Sequence, residues 1–200
     1  MGRQIYPAVV IFILLAGIAF ARGRAETSPA FPTKPAGTAL SASAMAVREK
    51  LGAAGFEAPT RSLPAAEFEL DLLGGGRAKL SAYRGSIVLL NFWATWCPSC
   101  REEIPSMERL YDSLRKKGLV IVAVDLSEST EVVKAFVKSN GMTFPVLMDT
   151  TGDIGSTYGV RTIPTTYVIG RDGNILGRTI GSRDWSAPAS LALFTSLLAY

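Results

Sequence analysis

The chain of 200 residues contains no histidine. A Ser/His/Asp triad or a Cys/His nucleophile pair cannot be built without this residue, and neither can a zinc site of the common Cys/His type. Proton transfer must therefore depend on carboxylates, lysine, tyrosine, thiols or water.

A large excess of one charge is also missing. The formal net charge is +4, and three of the cations, Arg3, Arg22 and Arg24, flank the first apolar run. The rest of the chain is close to electrical balance, so a basic face for a polyanion is not expected. We therefore expect no nucleic-acid partner.

The first apolar run covers residues 5–21, contains no charged residue and follows a single arginine. This arrangement is typical of an export signal, and its length lies between a signal-peptide core and a membrane-spanning helix. Residues 1–25 are therefore predicted to be a signal peptide, cut near residues 19–21, or a membrane anchor. In both cases we expect the remainder to be extracytoplasmic, in the periplasm or on the outer face of the cytoplasmic membrane.

Residues 26–60 are predicted to form a linker, because TSPAFPTKPAGTALSASA is rich in proline, alanine, serine and threonine. The overlapping stretch ALSASAMAVREKLGAAG has the composition of a short helix, with Met45, Val47 and Leu51 on one face. The favoured interpretation is a spacer that docks weakly on the following domain, and a partner-binding helix is the alternative.

Residues 61–200 are predicted to form one α/β domain. FELDL and RAKLSAY, separated by three glycines, predict a β-hairpin. SIVLLNFWA and GLVIVAVDL are typical of strands buried on both faces, and the helical pattern from residue 98 to 117 between them predicts a parallel strand–helix–strand unit. TIPTTYVIG and NILGRTIG predict an antiparallel edge pair. The expected architecture is a mixed central sheet with helices on both faces.

The only two cysteines, Cys97 and Cys100, lie in NFWATWCPSCREEIP, where a predicted strand meets a predicted helix. A disulfide across three positions closes too short a loop to stabilise a fold appreciably. Zinc would lack ligands, whereas a copper(I) ion, which accepts two thiolates, stays open as an alternative. A helix N-terminus would favour a thiolate at Cys97, and Cys100 could then attack a mixed disulfide. The pair is therefore interpreted as a redox reagent.

Two segments, NFWATWCPSCREEIPSMERLY and VRTIPTTYVIGRDGNILGR, closely resemble the thioredoxin superfamily, and within it the exported TlpA/ResA-like thiol:disulfide oxidoreductases. The similarity extends from about Phe68 to near the C-terminus. It implies a thioredoxin fold with an added N-terminal β-hairpin. It also implies a protein disulfide oxidoreductase with no cofactor and no metal beyond its redox-active Cys97–Cys100 disulfide.

The resemblance implies a substrate-binding surface beside the cysteines. Pro164 would be a cis-proline facing the disulfide, and Ile163 would pair through its backbone with an extended substrate, a form of strand addition. Trp96 and Pro98 would border the same surface.

The resemblance also bears on the proton chemistry. Glu103 matches an acid that influences cysteine ionisation in ResA-like proteins, and a solvated helix residue beside Glu102 is an equal alternative. Asn91 stands where cytosolic thioredoxins have a buried acid. Glu103 is therefore the better candidate for a catalytic proton acceptor.

In function, the resemblance implies reduction of disulfides in exported proteins, for cytochrome c or copper-centre assembly. A membrane thiol would donate the electrons, and the membrane would be a further partner if the N-terminal segment is uncut. Exchange is reversible, so a DsbA-like dithiol oxidase remains an alternative, as does a copper(I)-binding module. A thiol peroxidase is disfavoured, because Ala94 stands where such peroxidases have threonine.

Overall fold

The computed structural model describes residues 40–199. The predicted signal peptide or anchor, and residues 26–39 of the predicted linker, lie outside the described residues. Within residues 40–199, none of the helices has the length and apolar character needed to cross a membrane.

A mixed sheet occupies the centre of the domain. Its strands are β1 (Glu69–Leu72), β2 (Arg77–Lys79), β3 (Ile87–Trp93), β4 (Leu119–Leu126), β5 (Val146–Asp149), β6 (Thr165–Ile169) and β7 (Ile175–Ile180). The spatial order is β2-β1-β5-β4-β3-β6-β7. β3, β4 and β5 are parallel, whereas the pairs toward both edges are antiparallel. The predicted mixed sheet is confirmed.

Within residues 40–199, five α-helices accompany the sheet: α1 (Ala42–Ala53), α2 (Pro98–Leu114), α3 (Thr130–Ser139), α4 (Asp153–Thr157) and α5 (Pro188–Leu198). Because side chains alternate along each strand, the sheet buries a separate apolar cluster on each face. One cluster contains side chains of α1, α2, α3 and α5, and the other is packed by α4 and the chain before β1. Helices thus lie on both faces, as predicted.

The central strand β3 is buried at every position. β4 lies on one side of it in parallel register, and β6 lies on the other side in antiparallel register. The C-terminal end of β3 therefore meets the end of β4 and the beginning of β6 at one edge of the sheet.

Helix α1 belongs to the folded core. Val47 and Leu51 are buried in the same cluster as α2, and Leu51 is 0% exposed. Met45, which the sequence placed on the same face, is 57% exposed. After the helix, Glu57 exchanges two backbone hydrogen bonds with Arg178 of β7, at 2.8 and 2.7 Å. The described part of the predicted linker thus packs tightly against the domain.

This packing predicts different costs for two substitutions in α1. Leu51→Ala removes a fully buried side chain and should lower the free energy of unfolding by about 2–5 kcal/mol. Met45→Ala, on the same helix, should change it by less than about 0.5 kcal/mol. Urea unfolding followed by tryptophan fluorescence measures both. Equal, small effects would show that α1 contributes nothing to the core.

Candidate active site

The two cysteines lie at the N-terminus of α2. β3 ends at Trp93, a turn follows, and Cys97 is the residue that caps the helix. The backbone N–H of Cys100 donates to Cys97 Sγ at 3.2 Å. Pro98 occupies the first helical position, where its lack of an N–H costs nothing. The free N–H groups and dipole of the helix therefore favour a thiolate at Cys97.

In this structure the cysteines form a disulfide, with their Cα atoms 5.3 Å apart. Both are covered: Cys97 is 3% exposed and Cys100 is 1% exposed. The adjacent Trp96 is 66% exposed, and Pro98 is exposed as well. The sulfur pair thus lies beneath an apolar surface that a partner could contact.

The Ile163–Pro164 segment lies against the disulfide. β6 begins directly after it and pairs with the end of β3, which brings together residues that are 66 positions apart. Cys97 Sγ is 3.8 Å from the carbonyl oxygen of Ile163. The peptide bond between Ile163 and Pro164 is cis, as the resemblance implied. Pro164 is buried and Ile163 is half-buried.

Glu103 is buried one turn after Cys100 in α2, and it is only 2% exposed. The interpretation of Glu103 as a solvated helix residue is therefore wrong. Asn91 Nδ2 donates to Glu103 Oε1 at 3.0 Å, and Trp185 Nε1 donates to Oε2 at 2.8 Å. The backbone N–H of Arg183 also donates to Oε2, at 3.4 Å. Residues three apart on a helix share a face, so Glu103 lies on the side of α2 that carries Cys100.

Burial raises the pKa of Glu103 to about 7, and the hydrogen bonds from Trp185, Asn91 and Arg183 limit that rise. Glu103 also lines an open cleft of about 370 Å³, together with Ser106, Arg183 and others. A carboxyl with a pKa near neutrality, bordering a cleft to solvent, can take up and release a proton under physiological conditions.

Sequence reasoning missed Trp185 and Arg183 as partners of Glu103. Trp185 is fully buried, and its backbone N–H donates to Ser106 Oγ at 3.0 Å. It lies in GSRDWS, a loop without apolar periodicity, and contacts Glu103 across 82 positions of the chain. A lone tryptophan in a polar loop was the only signal.

A third missed residue, Glu128, fixes the turn before Cys97 through hydrogen bonds. Its carboxylate accepts a hydrogen bond from the backbone N–H of Thr95 at 2.5 Å and another from Thr95 Oγ1 at 2.6 Å. Glu128 lies in the loop after β4, which ends beside β3. The position of the turn that carries Trp96 is therefore fixed from the neighbouring strand.

Several known proteins are similar to this chain in sequence. The AhpC/TSA family matches residues 62–178, which is more than half of the chain. The thiol-disulfide oxidoreductase ResA of Bacillus thuringiensis subsp. konkukian (strain 97-27) is 40% identical over 119 residues, covering 60% of this chain and 69% of that protein. ResA of Bacillus subtilis (strain 168) is 38% identical over 129 residues, covering 64% and 72%.

A solved structure agrees with these sequence matches. It is described as the thiol:disulfide interchange protein DsbE from Chlorobium tepidum, with 33% identity and a TM-score of 0.64 over 68% of this chain and 96% of that one. The chain therefore belongs to the AhpC/TSA family of the thioredoxin superfamily, as a thiol-disulfide oxidoreductase of the ResA type.

Proposed function

We propose that this chain reduces disulfides in exported proteins through Cys97 and Cys100, in the assembly of c-type cytochromes or copper centres. A membrane thiol donor supplies its electrons, and residues 1–25 direct export or anchor the chain in the membrane. The remainder of the chain would then lie outside the cytoplasm.

One observation carries the proposal. Cys97 Sγ accepts a hydrogen bond from the first turn of α2 and lies 3.8 Å from the carbonyl oxygen of Ile163, beside the exposed Trp96. A thiolate stabilised by a helix N-terminus is a nucleophile. The backbone of Ile163 offers hydrogen-bonding groups to an extended peptide. The reactive sulfur and a peptide-binding backbone therefore share one surface.

Disulfide exchange at this surface has two steps. The Cys97 thiolate attacks one sulfur of a substrate disulfide, forms a mixed disulfide and releases the other substrate sulfur as a thiolate. Cys100 then loses its proton and attacks Cys97 Sγ, which releases the second substrate thiol. The substrate disulfide is reduced to two thiols, and the Cys97–Cys100 disulfide of this structure is the oxidised product.

Glu103 accepts the proton that Cys100 must lose in the second step. It lies one helical turn from Cys100, and with a pKa of about 7 it is partly ionised at neutral pH. Asn91 cannot take this role, because an amide has no basic site, but it orients the Glu103 carboxylate by donating to Oε1. The cleft beside Glu103 lets the proton reach solvent.

The reduction potential of the Cys97–Cys100 disulfide tests the direction of exchange. For a reductant we expect a value near about −270 mV or somewhat higher, because such a protein must accept electrons from a donor and pass them on. Equilibration against thiol buffers, followed by the fluorescence of Trp96 beside the disulfide, gives the value. A potential near about −120 mV would make the protein an oxidant of the DsbA kind.

Replacing Cys97 and replacing Cys100 should affect the reaction in different ways. Cys97→Ser removes the nucleophile and should abolish turnover of a protein disulfide. Cys100→Ser leaves the nucleophile and should accumulate mixed disulfides with the substrate, visible by non-reducing mass spectrometry. Turnover by Cys97→Ser would contradict the mechanism.

A parent chain that binds copper(I) at one ion per dithiol and reduces no disulfide would support the copper-binding module instead.

Glu103→Gln should remove a pH dependence from the second step. In the parent chain, the rate at which Cys100 resolves a mixed disulfide with thionitrobenzoate should rise as pH increases through about 7, because Glu103 accepts a proton only when ionised. In Glu103→Gln the inflection near pH 7 should be absent, the rate should follow only the ionisation of the Cys100 thiol itself at higher pH, and the rate at pH 8 should fall about 100-fold. Stopped-flow absorbance measures thionitrobenzoate release.

Glu102→Gln is the matched control, since Glu102 is the exposed neighbour on the same turn. It should keep the parent profile. If Glu103→Gln, with its circular dichroism unchanged, also keeps that profile, Glu103 is not the proton acceptor.

A further inference from the structure

Asp125 is a buried acid that the exchange steps above do not use. It lies near the C-terminal end of β4 and is 0% exposed. Neither of its carboxyl oxygens has a hydrogen-bond partner of regular geometry among the described residues. Burying a polar group without such a partner is costly, so a carboxyl in this position needs a physical explanation.

Asp125 lies beside the strand that leads into the dithiol. In the parallel register of β3 and β4 it pairs with Trp93, four residues before Cys97. Paired residues of neighbouring strands point to the same face of a sheet, so Asp125 lies on the face covered by α2 and α3. The indole Nε1 of Trp93 is also buried, with no hydrogen-bond acceptor in the part of the chain that the structure describes.

Glu128 connects Asp125 to the active-site turn. It follows Asp125 by three residues and accepts both hydrogen bonds from Thr95. Between them, Ser127 has a φ of 61°, in the left-handed region that a non-glycine side chain adopts at a cost. Ser127 adopts this unfavourable backbone conformation in the same loop conformation in which Glu128 contacts Thr95.

We propose that Asp125 is a positioning residue for the dithiol: in its neutral form it places no negative charge beside Glu128, so that the Glu128 carboxylate can hold Thr95 through its two hydrogen bonds. When Asp125 loses its proton, two carboxylates lie side by side, and their repulsion weakens the hold on the turn that carries Trp96 and Cys97. Two neighbouring acids do not easily ionise together, because the charge of one opposes the ionisation of the other. This inference rests on the proposed function only for its effect on substrate reduction.

The remaining charged groups around Asp125 do not compensate its charge. Asp149 on β5 adds a further negative charge. Its Oδ2 accepts a hydrogen bond from the backbone N–H of Gly155 at 2.8 Å. Arg101 on α2 stacks on the ring of Phe136 and makes no hydrogen bond to Asp125. The charged residues of the covering helix α3 are exposed; they are Glu131, Lys134 and Lys138.

The direction of the effect follows from these neighbours. Burial, the contact with Glu128 and the charges of Glu128 and Asp149 together raise the pKa of Asp125 to about 8, although the Glu128 backbone N–H partly offsets the rise. Asp125 is therefore neutral at pH 6.5 and ionised well above pH 8. The acids do not form a metal site, because no group of three or more Cys, Asp and Glu within residues 40–199 could hold an ion.

The oxidised full chain offers a direct test. Its cysteines do not titrate while they form the disulfide, and it has no histidine. The Thr95 amide donates to Glu128, so its protection against hydrogen exchange reports the hold on the turn. NMR measurement at several pH values, corrected for the intrinsic exchange rate, should show protection falling about tenfold from pH 6.5 to 9.5.

Asp125→Asn is the decisive variant, because asparagine keeps the shape and cannot ionise. Its Thr95 protection should change less than about twofold over the same range. Glu128→Gln weakens the hydrogen bonds from Thr95 directly and should lower Thr95 protection at every pH. Glu103→Gln removes the other acid of raised pKa and should keep the parent dependence. The amide of Leu90, in the middle of β3, provides an internal reference for global unfolding.

A pH-dependent loss of Thr95 protection in Asp125→Asn equal to that of the parent would overturn the proposal. So would a constant protection in the parent chain. If Asp125→Asn fails to fold, the Glu128→Gln profile decides, because this variant cannot form the second carboxylate and should lose the transition near pH 8 that the parent and Glu103→Gln keep; a transition that Glu128→Gln also keeps would overturn the proposal.

The parent chain and Asp125→Asn can also be compared in the reaction itself. With a protein disulfide as substrate, the ratio of the parent reduction rate to the Asp125→Asn rate should fall several-fold between pH 6.5 and pH 9. A constant ratio would show that the hold on Thr95 does not position the dithiol. Failure of the chain to reduce any disulfide would refute the proposed function while leaving the Thr95 exchange result intact, so the two failures are distinguishable.

Discussion

The register of β3 between β4 and β6 is the constraint on which the site depends. Antiparallel pairing with β6 places the Ile163 carbonyl beside Cys97, and parallel pairing with β4 places Asp125 beside Trp93. A slip of one position between β3 and β4 would turn the Asp125 side chain to the opposite face of the sheet from Trp93. Because β3 is buried at every position, apolar packing on both faces holds that register.

Carboxyls take the place of histidine in the neutral pH range. The chain has no histidine, yet Glu103 and Asp125 have pKa values raised to about 7 and about 8. Burial is the largest cause in both cases, which means that the fold and not the residue type creates the titration. Glu103 lies on α2 one turn after Cys100, and Asp125 lies on β4 in register with Trp93, four residues before Cys97.

Sequence patterns predicted the elements that local chemistry determines. Continuous apolar runs identified β3 and β4, and the resemblance identified Pro164 and Glu103. The pattern could not show that Leu51 is buried while Met45 is exposed, because both are apolar and only the packing of α1 against β7 and α5 separates them. Trp185 reaches Glu103 across 82 positions, and a contact of that range leaves no periodic signal.

The two acids also show why burial alone does not set a pKa. Aspartate is ordinarily the stronger acid, with a reference pKa of 3.8 against 4.5 for glutamate, yet Asp125 becomes the weaker one here. Glu103 accepts from Asn91, Trp185 and Arg183, and these donors stabilise its charged form. The negative charges of Glu128 and Asp149 act on Asp125, and its carboxyl oxygens have no donor of regular geometry within residues 40–199. The neighbours therefore make Glu103 an acid that exchanges its proton near neutrality and Asp125 one that keeps it.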